Sequence, residues 1–281
     1  MTPSVRQPGN RSAGYSLTPR TLLESLIDPF VKGVGGELVS ELVSADGGKP
    51  PTQADYFFRT HETIVELKAL ERPSFGDTYV RKLSDLTVSW FERGLFLAYG
   101  TTRIDLRRLS PICQQEWLGV LTQPVQDHVV AAANRQLAAT KRLLGVPKAK
   151  GILWLASDGN LDLRPHDVWF LLSSILRKTK PDGTKQYSNI DGIIYFHPRV
   201  PATVTGVPGP VFFWFGEPRD PESSSVREFI ERLRQAWIPY FAASTGMKVV
   251  ELAGEAPEAN VRFAGSVRSL PRVSLEPAKK S

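Results

Sequence analysis

A chain of 281 residues, 41% apolar, 10% aromatic and 23% charged, has the composition of an ordinary globular protein, long enough for one large core or two small ones. Its single cysteine, Cys113, excludes an internal disulfide and a multi-cysteine zinc site, fits a reducing cytoplasm, and is expected to act as a small buried hydrophobe. The net charge of +6 invites a nucleic-acid reading, but residues 1–23 carry +3 and residues 259–281 carry +4; the body between them stands at −1, and any basic groove there must be local.

Residues 1–17 are polar and rich in Pro, Gly and Ser, and they lack the apolar run of a signal peptide. They read as a disordered tail, as do the basic residues 257–281, with one folded unit over 18–256. The longest apolar stretches, 151–156 and 211–215, are strand-sized, far below the roughly 20 residues of a bilayer span. A soluble, cytoplasmic protein with no membrane partner is expected.

Thr18 and Pro19 offer an N-cap and a first-turn proline, and Leu22, Leu23, Leu26, Ile27 and Phe30 follow at helical spacing. Residues 37–43 read as a second helical segment, closed by Asp46-Gly47-Gly48. Residues 54–58 and 63–70, rich in aromatic and β-branched side chains and joined by a polar turn, read as a β-hairpin. Tyr79, Leu83, Leu86 and Trp90 mark an amphipathic helix, and 94–100 reads as a third strand. A long helix is predicted over 124–144 with Gly145 as its stop, then a strand at 151–156. Helix 165–178, strands 190–196 and 210–215, and helix 224–243 complete an α/β pattern: a mixed central sheet flanked by helices.

The chemistry gathers in the hairpin. Side chains alternate along a strand, so Glu66 and Lys68 share a face while Leu67 takes the other. Ile64-Val65 and Ala69-Leu70 flank them, so the strand seeks a core yet carries two charges, which calls for a pair, a metal or a cleft. Asp55 lies near the start of the preceding strand. Hydrolysis of a phosphodiester needs a divalent cation, and Mg²⁺ favours a few hard carboxylate oxygens; Asp55 and Glu66 could supply them, with Lys68 to activate water or steady developing negative charge.

Asp55 followed by Glu66-Leu67-Lys68 resembles the PD-(D/E)XK phosphodiesterase superfamily, although Ala54 stands where the motif's proline would be. The resemblance covers about residues 20–160. It implies a restriction-endonuclease-like αβββαβ core with C-terminal strand and helix additions, and a nuclease using Mg²⁺ or Mn²⁺. It further implies a third acidic residue on the helix before the first strand, Glu41 in preference to Glu37. A polar residue on the later long helix should face the site; among Asn134, Arg135, Gln136 and Lys141, the choice is Gln136. The implied metal ligands are Asp55, Glu66 and Glu41, and the implied partner is DNA in restriction, phage defence or repair. A protein partner for targeting and a homodimer are both compatible with it. The alternative is a catalytically silent nuclease-fold module for nucleic-acid binding or assembly.

Histidines 61, 128, 166 and 197 fall one to an element without metal-ligand spacing; His61, at the hairpin tip, could approach substrate. Trp154, Trp169, Trp214 and Trp237 are expected in the core. The absence of a Gly-x-Ser-x-Gly elbow and of a Walker loop disfavours a serine hydrolase and a P-loop NTPase.

Overall fold

The computed structural model describes residues 22–43, 53–70, 77–97, 108–157, 165–200, 202–204, 211–246 and 261–263. The expected helix start at Thr18-Pro19, the Asp46-Gly47-Gly48 breaker and the N-terminal tail lie outside them. The first helix, α1 (Leu22–Gly33), buries Ile27, Phe30 and Val31. Residues 37–43 are not one helix. Glu37–Leu38 forms a two-residue strand, β1, and only Val39–Val43 is helical, α2. Pairing of Glu37 with Phe57 and of Leu38 with Tyr56 pulls this pair into the sheet.

The predicted hairpin is present. Its strands β2 (Tyr56–Phe58) and β3 (Thr63–Leu70) pair antiparallel around a 3₁₀ turn, Arg59–His61, closed by Glu62 at φ 45°. The chain continues into helix α3 (Asp77–Glu92). The expected strand at 94–100 does not form over its described part: Gly94, at φ 67°, turns the chain out of α3, and Leu97 is exposed. Residues 98–100 lie outside the described residues.

Helix α4 (Pro111–Val125) precedes the predicted long helix, with Ser110 capping the amide of Cys113 and Pro111 in the first turn. It runs through a π-helical segment, Gln126–Val130, into α5 (Ala131–Leu143). Pro124, lacking an N–H, sits at this junction, where a π turn absorbs the interrupted ladder. Gly145 ends the helix at φ 67°.

Next come β4 (Lys150–Ser157), α6 (Pro165–Leu176), β5 (Gly192–Val200), β6 (Ala202–Val204), β7 (Val211–Pro218), α7 (Ser224–Thr245) and β8 (Val261–Phe263). Part of the stretch expected as a loose C-terminal tail thus forms a strand, which pairs with β6. The main sheet has six strands in the order β1-β2-β3-β4-β5-β7; β3, β4 and β5 are parallel and the other pairs antiparallel. This is the expected mixed α/β architecture.

Alternation along the strands gives the sheet two buried faces. Ile64, Leu153, Leu155, Ile193 and Tyr195 share one cluster with Leu137 of α5 and Leu172 of α6. Val65, Leu67, Ile152, Trp154, Ile194 and Phe196 share the other with α1 and α7, where Phe30, Trp154 and Trp237 meet edge to face. A third, smaller cluster joins Leu83 and Trp90 of α3 to Cys113 and Trp117 of α4, so the cysteine is buried as expected. Among the described residues no helix is long and apolar enough to cross a membrane.

Candidate active site

Because Tyr56 pairs with Val65, Asp55 lies across from Glu66 as the hairpin register extends. Its backbone carbonyl accepts from Val39 N at 2.9 Å, and its Oδ2 accepts from Leu67 N at 2.8 Å, which brings the carboxylate over β3. Glu66 and Lys68 project from the face of β3 that α5 covers. The Glu66 side chain is only 1% exposed, and its Oε1 pairs with Lys68 Nζ at 2.6 Å. The lysine, 25% exposed, also donates to Gln136 Oε1 at 2.7 Å. Asp55, Glu66, Lys68 and Gln136 are therefore brought together as expected, over the middle of the parallel strands β3 and β4, where Glu66 pairs with Leu153 and Lys68 with Leu155.

Glu66 is electrostatically strained. Burial, then the neighbouring Asp55 carboxylate, push its pKa up to about 8 against the opposing pull of Lys68. Its Oε2 is buried without a hydrogen-bond donor among the described residues. The Asp55 carboxylate is another acceptor, so the two can share a hydrogen bond only when one holds a proton. A cation between them would relieve the same repulsion, and hard carboxylate oxygens are what Mg²⁺ and Mn²⁺ take. The residues present fit such an ion.

Glu41 does not join them. It is 59% exposed and ion-paired with Lys32 at 2.6 Å, because the two-residue strand β1 leaves little of the helix that was to aim it inward. Glu37, the other choice, is bound by Arg59 at 3.0 Å, and that hydrogen bond holds its carboxyl below the usual range. Among the described residues no three His, Cys, Asp or Glu side chains stand close enough to enclose a metal ion, so the expected three-carboxylate set is reduced to Asp55 and Glu66. An acidic residue of α1, Asp28, accepts from Tyr56 Oη at 2.8 Å and lines a cavity of about 80 Å³ together with Ser40, Gln53 and Asp55, a cavity that neither Glu37 nor Glu41 lines.

Helix α5 supplies more than Gln136 Oε1. The Nε2 of the same side chain donates to Gln53 O at 3.1 Å, and one turn later the buried Thr140 Oγ1 accepts from Ala54 N at 2.7 Å. The helix therefore grips the two residues leading into Asp55. Sequence reasoning misses Thr140 because a threonine on a helix signals nothing by itself; its spacing of four from Gln136 is the only clue. The other polar candidates turn elsewhere: Asn134 Oδ1 accepts from Asn189 N at 2.9 Å, Arg135 is exposed, and buried Lys141 lies 3.6 Å from Asp191. His61 lies at the opposite end of β3 from Lys68, 3.3 Å from Arg232, and so does not approach the site.

Compared with known proteins, the chain matches no family model, no curated protein sequence and no solved structure.

Proposed function

We propose that the chain is a divalent-metal-dependent nuclease acting on DNA, with Asp55 and Glu66 holding Mg²⁺ or Mn²⁺. What carries this reading is the buried Glu66 carboxylate, lacking a donor at Oε2 and set beside Asp55, with the Lys68 ammonium at 2.6 Å. Such an ion, when bound, offsets phosphate charge and lowers the pKa of water. Lys68 then donates from its ammonium to the attacking water or to a phosphoryl oxygen as charge develops. Gln136 holds that ammonium in place, and Leu67 N keeps the Asp55 carboxylate turned toward Glu66.

Over 22–157 the order is α1, β1, the short helix α2, the hairpin β2–β3, helices α3 to α5 and β4; setting aside the inserted α2 and α3, it supports assignment of these residues to the αβββαβ core of the PD-(D/E)XK superfamily, with β1, β2 and β3 as its three strands. Restriction, phage defence and repair are the roles open to such an enzyme.

A catalytically silent nuclease-fold module is the second reading, favoured by a carboxylate set of only two among the described residues. Titration with Mn²⁺, followed by paramagnetic resonance, separates them. The nuclease reading predicts one saturable site lost in Asp55→Asn; no saturable binding would favour the silent module.

A further inference from the structure

A groove of about 380 Å³ lies away from Asp55 and Glu66, at the far edge of the sheet. Strand register fixes the separation: Glu66 pairs with Leu153, Leu153 with Ile193, and Ile193 with Glu217, so Glu217 on the groove stands three strands from Glu66. At about 4.8 Å per strand this is about 14 Å across the sheet, and α5 and α6 cover the face between. The groove is a separate site.

One wall is α6, with Trp169, Ser173 and Leu176 on one side of the helix and Arg177 directly after its last residue. Eight residues at 1.5 Å each place Trp169 and Arg177 about 12 Å apart along its axis. The two ends differ in chemistry. At the Trp169 end the indole Nε1 donates to Glu217 Oε2 at 3.1 Å, Pro218 adjoins, and Ile193 forms an apolar floor. This tryptophan, expected in the core, is half-buried and lines the surface instead.

At the other end stand Arg177, Lys185 and Arg219, with Thr179 bridged to Lys185. Arg219 donates to two neutral carbonyls, Leu176 O and Tyr187 O. Burial lowers its pKa, and the carboxylate that opposes this, Asp191, is already engaged by Gly151 N and Lys141. The Arg177 and Lys185 side chains are exposed and have no ion-pair or hydrogen-bond partner among the described residues. Three cations against the single carboxylate Glu217 make this the local basic groove that the near-neutral body of the chain permits.

We propose that the groove binds a nucleoside monophosphate: the phosphate on Arg177 and Lys185, the base beside Trp169 and Pro218, and a base amine or sugar hydroxyl donating to Glu217. The volume falls within the range of small-ligand sites, and the mixture of an apolar floor with a few placed charges is typical of them. Arginine and lysine at one end supply phosphate recognition, and the indole offers a surface for a flat ring.

The test is calorimetric titration of the full chain in EDTA, in a Glu66→Gln background so that the candidate active site does not contribute. The probes are AMP, adenosine and inorganic phosphate. We expect AMP to bind one per chain, more tightly than adenosine or phosphate, and the Arg177→Ala, Lys185→Ala double variant to weaken it about tenfold or more. Trp169→Phe should retain AMP binding and Trp169→Ala should lose it. Because Arg177 and Lys185 are exposed, the double variant should melt as its parent does; Lys185→Glu alone provides a second charge test. No AMP binding at millimolar concentration, AMP binding indifferent to the charge variants, or phosphate binding as tight as AMP would each overturn the proposal. Since none of these outcomes uses Asp55 or Lys68, they are independent of whether the chain is a nuclease.

Discussion

Lys68 and Gln136, 68 residues apart in sequence, meet at 2.7 Å between β3 and α5. The contact ties the only cation beside Glu66 and Asp55, among the described residues, to the helix that also grips the approach to Asp55. Site geometry therefore depends on how α5 docks, and a change on that helix should be felt at both carboxylates.

Thr140→Val should loosen the site without touching it. The substitution strips Ala54 N of its acceptor inside the protein, a loss of about 1–3 kcal/mol in stability, and lets Asp55 drift from Leu67. Mn²⁺ affinity should fall as well, and Thr140→Ser should restore both. Denaturant unfolding and metal titration check this; full metal affinity in the valine variant would mean that α5 does not position Asp55.

The acidity of Glu66 makes the metal-free protein lose stability as pH rises. With a folded pKa near 8, the native chain keeps a proton that the unfolded chain releases at the ordinary carboxylate value. The contribution is full below that ordinary value and is lost as pH rises toward about 8, at up to about 1.4 kcal/mol per pH unit. Glu66→Gln should flatten the slope and be the more stable protein at pH 8 in EDTA. Unfolding midpoints at pH 5 and pH 8 supply the comparison, and an unchanged slope in the glutamine variant would refute the assignment.

Neither Glu41→Ala nor Glu37→Ala should alter metal binding, since their partners are Lys32 and Arg59 and both pairs lie toward solvent. Asp28→Asn, at the cavity shared with Asp55, should weaken it modestly. Side-by-side Mn²⁺ titrations decide the matter; loss of affinity in Glu41→Ala would restore that residue to the site.

Much of the site is legible in the amino-acid sequence. The alternation in 63–70 puts Glu66 and Lys68 on one face, an inference that needs only local geometry, whereas Gln136 is singled out by the resemblance and not by the pattern of its own helix. Strand β1 is illegible for the opposite reason. Two residues cannot display a period, and Glu37 and Glu41, four apart, imitate a helix face. Which way Glu41 points is decided by β1 pairing with β2, a contact between distant segments. The Ser110-Pro111 start of α4 is a local signal, a capping serine before a first-turn proline, whereas the grip of Thr140 on Ala54 is tertiary and leaves no mark in a single sequence.

The most direct test is cleavage of supercoiled, linear and single-stranded DNA by the purified chain with Mg²⁺ or Mn²⁺, beside an EDTA control and Lys68→Ala. Metal-dependent cutting should fall by about 10²–10³-fold when Lys68 is removed, in a variant that remains folded at the assay temperature. Cutting that persists in Lys68→Ala, or a wild-type chain that neither cuts DNA nor binds metal at Asp55 and Glu66, would contradict it.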